Sequence, residues 1–214
     1  MFFRLREHWA LHKISNEYDR CISQYGASPK GVHWRSEESQ QQRFTRLMEI
    51  ILPRHSSGGI SIYDLGCGYG ALFQRLANHS IMQSSTYTGY EINRQLQQLA
   101  TTNISDPRAR FVLGKHPQDF NDYGFISGTF NLKMSASKKF WWQYIQATLN
   151  DCWKKTRYGL AFNLLDLKKS ASPHEKLFYC DPQKVIEFCQ SKFTKNAIWK
   201  ADSQLPDVHF YLWR

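Results

Sequence analysis

The stretch ISIYDLGCGYGALF at residues 60–73 decides the fold. Residues 60–65 predict a buried strand, glycines at 66, 68 and 70 predict a tight turn, and residues 71–77 predict a helix. Glycine permits backbone angles that side chains forbid and lets a ligand approach the main chain. A helix that opens directly from the turn presents free N–H donors. The stretch therefore predicts a strand–turn–helix unit that binds a ligand.

Two acidic residues accompany this turn. Asp64 lies two positions before Gly66, and Glu91 ends the next predicted strand, at residues 86–91. The glycine spacing is G-x-G-x-G, whereas a dinucleotide fingerprint is G-x-G-x-x-G. A carboxylate at the end of the second strand can accept both hydroxyls of a ribose. Together the turn and Glu91 indicate a ligand that contains a nucleoside.

Strand and helix patterns alternate through the rest of the chain. Further strands are predicted at residues 110–113, 123–127, 158–163, 197–200 and 209–213, and helices at 94–101, 137–153 and 182–192. Such alternation is typical of a mostly parallel sheet with helices on both faces. The predicted fold class is therefore α/β, with a Rossmann-like, seven-stranded, mostly parallel sheet.

The residues before the first strand form a separate helical region. Helices are predicted at residues 1–25 and from Ser36 or Glu37 to about Leu52, with Ser36 as N-cap and a break at residues 26–31. A chain of 214 residues suffices for one α/β domain and is short for two. We therefore expect residues 1–55 to form a helical cover over a ligand-binding domain at residues 56–214.

Composition restricts the class of protein. The formal net charge of +10 attracts anions such as RNA, yet the chain has no dense Lys/Arg tract. The five cysteines include no C-x-x-C pair, and no apolar run approaches the roughly 20 residues of a spanning helix. Charges at Arg4, Arg6 and Glu7 deprive the first residues of the uninterrupted apolar region of a signal peptide. These features predict free thiols, a cytoplasmic location and no membrane association.

At Asp64–Gly70 and Glu91 the sequence resembles the class I S-adenosylmethionine-dependent methyltransferases. Their first motif is similar to D-x-G-x-G-x-G, and an acidic residue ends their second strand. The similarity covers residues of about 18 to 192 and looks like a bacterial family of undetermined substrate. It includes residues 25–34, 39–40, 43–44, 126–131, 160–163 and 177–182. The resemblance implies S-adenosyl-L-methionine as cofactor and methyl transfer as activity.

The resemblance also implies a set of cofactor contacts. Asp64 would lie near the methionine end of the cofactor, Glu91 would hold the ribose hydroxyls, and Ile92 would lie against the adenine. The other predicted cofactor residues are Gly66, Cys67, Gly68, Ser127, Trp34 and Arg43. Arg43 could pair with the methionine carboxylate, or form a surface ion pair with Glu37 or Glu38. Lys115 and His116 stand where many relatives carry an acid, which leaves the adenine contact to backbone atoms.

The sequence specifies the residues that bind the methyl acceptor less closely than those that bind the cofactor. Asn131 follows a predicted strand and Asn163 ends one; both could orient substrate or cofactor, or cap a strand end. Tyr179 and Arg35 are further substrate candidates, and His33, His116 and Tyr179 are candidates for a catalytic group. The alternative for each histidine is an ordinary surface or hydrogen-bonded role. No metal site is expected, because His8 and His12 lie four residues apart without a third ligand.

The sequence leaves the methyl acceptor, and with it several functions, open. Residues 127–131 are not the D/N-P-P-Y/F signature of amino-group methylation, and no Pro-Cys dipeptide indicates cytosine C5 chemistry. A small-molecule acceptor is the favoured expectation. An RNA methyltransferase, a non-catalytic S-adenosylmethionine-binding module and an NAD-dependent enzyme are the alternatives. The oligomeric state is not predicted.

Overall fold

Eight strands form one sheet in the computed structural model, which describes residues 2–214. Met1, which the first predicted helix includes, lies outside the described residues. The strands are β1 (Ser61–Leu65), β2 (Thr86–Glu91), β3 (Ala109–Leu113), β4 (Asn121–Ile126), β5 (Thr156–Asp166), β6 (Tyr179–Cys180), β7 (Ala197–Ala201) and β8 (Asp207–Trp213). The helices are α1 (Phe2–Tyr25), α2 (Glu37–Met48), α3 (Ala71–Leu76), α4 (Arg94–Asn103), α5 (Lys138–Lys154) and α6 (Pro182–Lys192).

Seven of the strands follow the order β3-β2-β1-β4-β5-β8-β7. β1 to β5 run parallel to one another, whereas β8 runs antiparallel to both β5 and β7. The eighth strand, β6, has two residues and pairs with the end of β5. The sequence did not reveal it because two residues carry no periodic pattern. The predicted Rossmann-like α/β fold with a mostly parallel sheet is confirmed.

The core has two layers, one on each face of the sheet. Ile62 belongs to one layer and Tyr63 to the other, because successive side chains of a strand point to opposite faces. The layer around Tyr63 packs on α5 and α6, and the layer around Ile62 packs on α2, α3 and α4. Helices therefore cover both faces of the sheet.

α2 begins where the sequence predicts and ends earlier. The Ser36 hydroxyl accepts a hydrogen bond from the Ser39 N–H at 3.2 Å, so Ser36 is the N-cap. The helix ends at Met48, four residues before the predicted end at Leu52. Leu52 is extended, with ψ 145°, because a proline follows it and disfavours helical angles.

α1 is held against the start of α4 by one side chain. The Asn93 amide nitrogen donates to the Ser15 carbonyl at 3.0 Å and to Asp19 Oδ1 at 2.7 Å. Its Oδ1 accepts the Leu96 N–H at 2.9 Å and thereby caps α4. Asn93 lies two residues after Glu91, so this contact brings α1 to the carboxyl end of β2.

Candidate cofactor site

A cavity of about 820 Å³ lies at the carboxyl ends of β1, β2 and β4, where open α/β sheets bind their ligands. Its floor is formed by the residues that follow these strands. Its other walls come from α1, from α2, from residues 32–36 between them, from α5, and from two later segments that include Lys176, Leu177 and residues 204–206. The volume falls within the range of about 300–1,000 Å³ that small-molecule sites occupy.

The glycine turn forms one edge of this cavity. Gly66 has φ 76°, and a Cβ atom there would lie 2.3 Å from Thr129 Oγ1. Gly68 has φ 56°, and a Cβ atom there would meet only Val32 Cγ1, at 3.6 Å. Gly66 is therefore required by the packing of the turn, whereas the space above Gly68 belongs to the cavity.

Glu91 connects the glycine turn to the second strand. Its Oε2 accepts the Gly68 N–H at 3.0 Å, and its Oε1 accepts the Asn93 N–H at 2.8 Å. Burial raises the pKa of this carboxyl, while the backbone donors lower it. Each oxygen of a carboxylate can accept a further hydrogen bond. Glu91 therefore retains acceptor capacity at the wall of the cavity.

Three side chains of the cavity wall carry buried oxygens without a partner among the described residues. These are Asp64 Oδ1, Ser127 Oγ and Asn131 Oδ1. Asp64 Oδ2 accepts the Tyr87 hydroxyl at 2.7 Å, and burial raises the pKa of Asp64 to about 7. A buried polar group without a partner costs about 1–3 kcal/mol. The three oxygens indicate that a polar ligand with hydrogen-bond donors completes this site.

Trp34 and Arg43 form part of the wall contributed by the N-terminal region. The Arg43 guanidinium lies 4.4 Å from the centre of the Trp34 ring. The Trp34 ring also approaches Gly128 so closely that a Cβ there would lie 2.5 Å from it. Arg43 does not form the ion pair with Glu37 or Glu38 that the sequence left open as an alternative: its carboxylate partner is the buried Asp207. Burial of α2 against β8 explains the difference.

Asn163 does not line the cavity, in contrast to the expectation that it orients a ligand. β5 continues to Asp166, which places Asn163 inside the strand and fully buries it. Its Oδ1 accepts the Gly128 N–H at 2.8 Å, and its amide nitrogen donates to Asp207 Oδ1 at 2.5 Å. Its role is to hold the turn after β4.

His116 and Tyr179 also lie outside the cavity wall. His116 is exposed, and the Tyr179 hydroxyl accepts the His174 N–H at 3.2 Å. The structure therefore offers no support for either as a catalytic or substrate-binding group. Lys115, the neighbour of His116, does line the cavity, and its ammonium pairs with Glu7 at 2.9 Å.

The other predicted residues come together at the cavity. Cys67, Ile92, Arg35, Asn131 and His33 all line it. His33 follows the short 3-10 helix Lys30–Val32 and has φ 63°, which is rare for a residue with a side chain. Burial lowers the pKa of its imidazole, which favours the neutral form.

Sequence reasoning missed residues that shape the site through distant contacts. Gln40 Oε1 accepts the Tyr69 hydroxyl at 3.0 Å, which ties α2 to the glycine turn. The Thr129 hydroxyl donates to the Leu65 carbonyl at 2.7 Å. Gln40 lies in a stretch that resembles the family, and Thr129 follows the fourth strand. The sequence around Gln40 and Thr129 does not indicate which residue either side chain contacts.

Comparison with known proteins identifies the family. The chain is 30% identical over 139 residues to the Mycobacterium tuberculosis protein Rv1506c, which is named as a candidate methyltransferase. The match covers 64% of this chain and 82% of that protein. No family model matches the chain.

Solved structures share the fold at low sequence identity. Magnesium protoporphyrin IX methyltransferase from Synechocystis PCC 6803, with bound S-adenosylhomocysteine, has a TM-score of 0.65 and 12% identity over 98% of both chains. The DhpI–S-adenosylhomocysteine complex has a TM-score of 0.65 and 11% identity over 97% of both chains.

The cavity fits the cofactor of these enzymes. S-adenosyl-L-methionine carries ribose hydroxyls and an ammonium group, and these donors match Glu91 and the unpartnered oxygens of Asp64 and Ser127. The open space above Gly68 permits a ligand to approach the main chain. With its fold, its glycine turn and its relative, the chain belongs to the class I S-adenosylmethionine-dependent methyltransferases.

Proposed function

We propose that this enzyme methylates a small-molecule acceptor inside the covered cavity. The observation that carries the proposal is the contribution of the N-terminal region to the cavity wall: Leu11, Ile14, Glu17, Tyr18, Val32, His33, Trp34 and Arg35 all line it. A cover excludes water and shapes a compartment for a compact acceptor. Folded RNA would instead need an open basic surface.

We further propose how the chain holds the cofactor. Asp64 accepts from the ammonium group, Glu91 from the ribose hydroxyls, and Ile92 packs against the adenine. Ser127 and the Trp34–Arg43 pair lie toward the methionine end. Three of the five guanidinium N–H groups of Arg43 donate to protein acceptors, which leaves two for the methionine carboxylate. The bound cofactor supplies an electrophilic methyl group on sulfur.

The protein contributes to the reaction by aligning the acceptor atom with the methyl group of the cofactor. Transfer requires the acceptor atom to approach the methyl group in line with the breaking bond, so fixed walls contribute most. Asn131 and Arg35, which both line the cavity, orient the acceptor. His33 is the catalytic candidate that lines the cavity, but its Nε2 faces Glu17 and Cys21, so we assign it no base role.

A transfer assay with methyl-labelled cofactor tests the proposal. The enzyme is incubated separately with a metabolite library and with total RNA, and Glu91→Ala serves as the variant with a defective cofactor site. We expect label in a small-molecule fraction and none with Glu91→Ala. RNA carrying the label, with no labelled small molecule, would favour the RNA methyltransferase alternative that the net charge of +10 suggests. Cofactor binding without transfer to either fraction would favour a non-catalytic module.

A further inference from the structure

Three potential metal ligands meet at the edge of the cavity. Glu17 and Cys21 lie four residues apart on one face of α1, and His33 reaches them from the turn after residues 30–32. Cys21 Sγ lies 3.3 Å from His33 Nε2 and 4.0 Å from Glu17 Oε1. His33 Nε2 lies 3.6 Å from Glu17 Oε1. We propose that these three side chains bind a zinc ion.

The spacing of the three atoms suits a tetrahedral ion. Zinc binds thiolate sulfur at about 2.3 Å and imidazole nitrogen or carboxylate oxygen at about 2.0–2.2 Å, which separates neighbouring ligand atoms by about 3.4–3.6 Å. The observed separations of 3.3, 3.6 and 4.0 Å differ from these by a few tenths of an ångström. Small side-chain rotations therefore complete the geometry.

Hydrogen bonds outside the cluster hold α1 and the turn at His33, which carry the three ligands, in place without a metal. Asn93 holds α1 through Ser15 and Asp19, which flank Glu17. The His33 N–H donates to the Lys30 carbonyl at 3.1 Å and keeps this residue in its left-handed conformation. A site whose ligands are held in advance loses less conformational entropy when the ion binds.

One neighbouring cation competes with the metal. The Arg20 guanidinium donates to both oxygens of Glu17, at 3.1 and 2.7 Å. Its side chain is 64% exposed, so it can move into solvent when a metal takes the carboxylate. Removal of the Arg20 guanidinium should therefore tighten zinc binding. If the three side chains only formed hydrogen bonds with one another, removal of Arg20 would produce no such effect.

The proposed ion has an open position. Three protein ligands leave the fourth position of a tetrahedral zinc free, as in zinc sites that contact substrate. Glu17 and His33 line the cofactor cavity, so that position adjoins the compartment we propose for the acceptor. The ion would take an oxygen or sulfur donor of the acceptor there. This last step rests on the proposed function, whereas zinc binding itself does not.

Zinc titration by calorimetry of the metal-stripped, untagged full chain tests the site. We expect one zinc per chain and more than about 100-fold weaker binding in Cys21→Ala, His33→Ala and Glu17→Gln, since loss of even an outer partner costs 10–100-fold. Arg20→Ala should bind more tightly than the wild type. Cobalt in place of zinc should give a thiolate charge-transfer band that Cys21→Ala lacks.

The double variant His8→Ala/His12→Ala is the matched control, because these histidines lie four residues apart on the same helix. It should bind zinc like the wild type. Far-ultraviolet circular dichroism reports whether each variant is folded, and Glu17→Gln keeps the test valid if Cys21→Ala is not. Absence of zinc binding, or binding that survives the three ligand variants, or binding lost in the control would overturn the proposal. No methyl acceptor is needed, so failure here is distinct from failure of the proposed function.

Discussion

Arg43 on α2 directs two guanidinium N–H groups at a single oxygen of Asp207 on β8, at 2.9 and 2.5 Å. The other oxygen of Asp207 accepts the Asn163 amide, and Asn163 in turn accepts the Gly128 N–H. Gly128 lies against Trp34, which stacks on Arg43. A closed ring of contacts therefore links Trp34 and α2 to the turn after β4, at the cavity wall.

Asp207→Asn should lower the free energy of unfolding by about 3 kcal/mol, because Arg43 would keep a buried charge without its counterion. Urea unfolding measures this change. Asp119→Asn is the control: Asp119 pairs with Arg110 at the surface, and such pairs contribute about 1 kcal/mol or less. Equal effects of the two substitutions would contradict a structural role for the buried pair.

Glu91→Ala should weaken cofactor binding by about 2–3 kcal/mol, since two charge-assisted hydrogen bonds lose their acceptor. It should also reduce stability, because the Gly68 and Asn93 N–H groups lose theirs. Calorimetry with S-adenosylhomocysteine and thermal unfolding separate the two effects. Glu187→Ala, on the exposed side of α6, should change neither. Unchanged affinity in Glu91→Ala would exclude the ribose role.

Gly68→Ala should abolish most cofactor binding while the protein stays folded. A Cβ at Gly68 meets only Val32, at 3.6 Å, but projects into the cavity edge. The control is Gly59→Ala, with φ 74° and no atom within 4 Å of the added Cβ. Both variants carry a left-handed alanine, which costs about 1–2 kcal/mol. Similar cofactor affinity in the two variants would show that the ligand does not approach Gly68.

Gly66→Val should reduce both the stability of the fold and the affinity for the cofactor. The added side chain would collide with Thr129 at a backbone angle that valine rarely adopts. We expect a clear loss of stability by urea unfolding together with loss of cofactor binding. A stable Gly66→Val protein that still binds the cofactor would mean that the turn is not the cofactor cradle.

Cofactor affinity should fall as the pH is lowered through about 7. Burial raises the pKa of Asp64 to about 7, so the carboxyl is ionised above this pH and protonated below it. The proposed ion pair with the cofactor ammonium needs the ionised form, so binding is favoured on the alkaline side. Calorimetry between about pH 5.5 and 7.5 should show this trend in the wild type. Asp64→Asn should bind more weakly and with a flatter pH dependence; an identical dependence would assign the titration to another group.

No helix in the described part of the chain has both the length and the apolarity to cross a bilayer.

Local patterns in the sequence determined the elements that build the cofactor site. The glycine turn at residues 66–70, the position of Glu91 at the end of a strand and Ser36 as a helix cap were each predicted from the pattern of the residues beside them. Such patterns reflect backbone angles and hydrogen bonds within each short segment. Strand and helix order followed from them, and the family resemblance added the identity of the cofactor.

Tertiary structure alone decided which side chains face the cavity and which support it. Asn163 became a supporting residue because β8 extends β5 beyond it, and Arg43 found its partner 164 positions along the chain. Glu17, Cys21 and His33 converge because α1 and the following turn fold against each other. Contacts of this kind arise from packing between distant segments, and no pattern within either segment specifies the other.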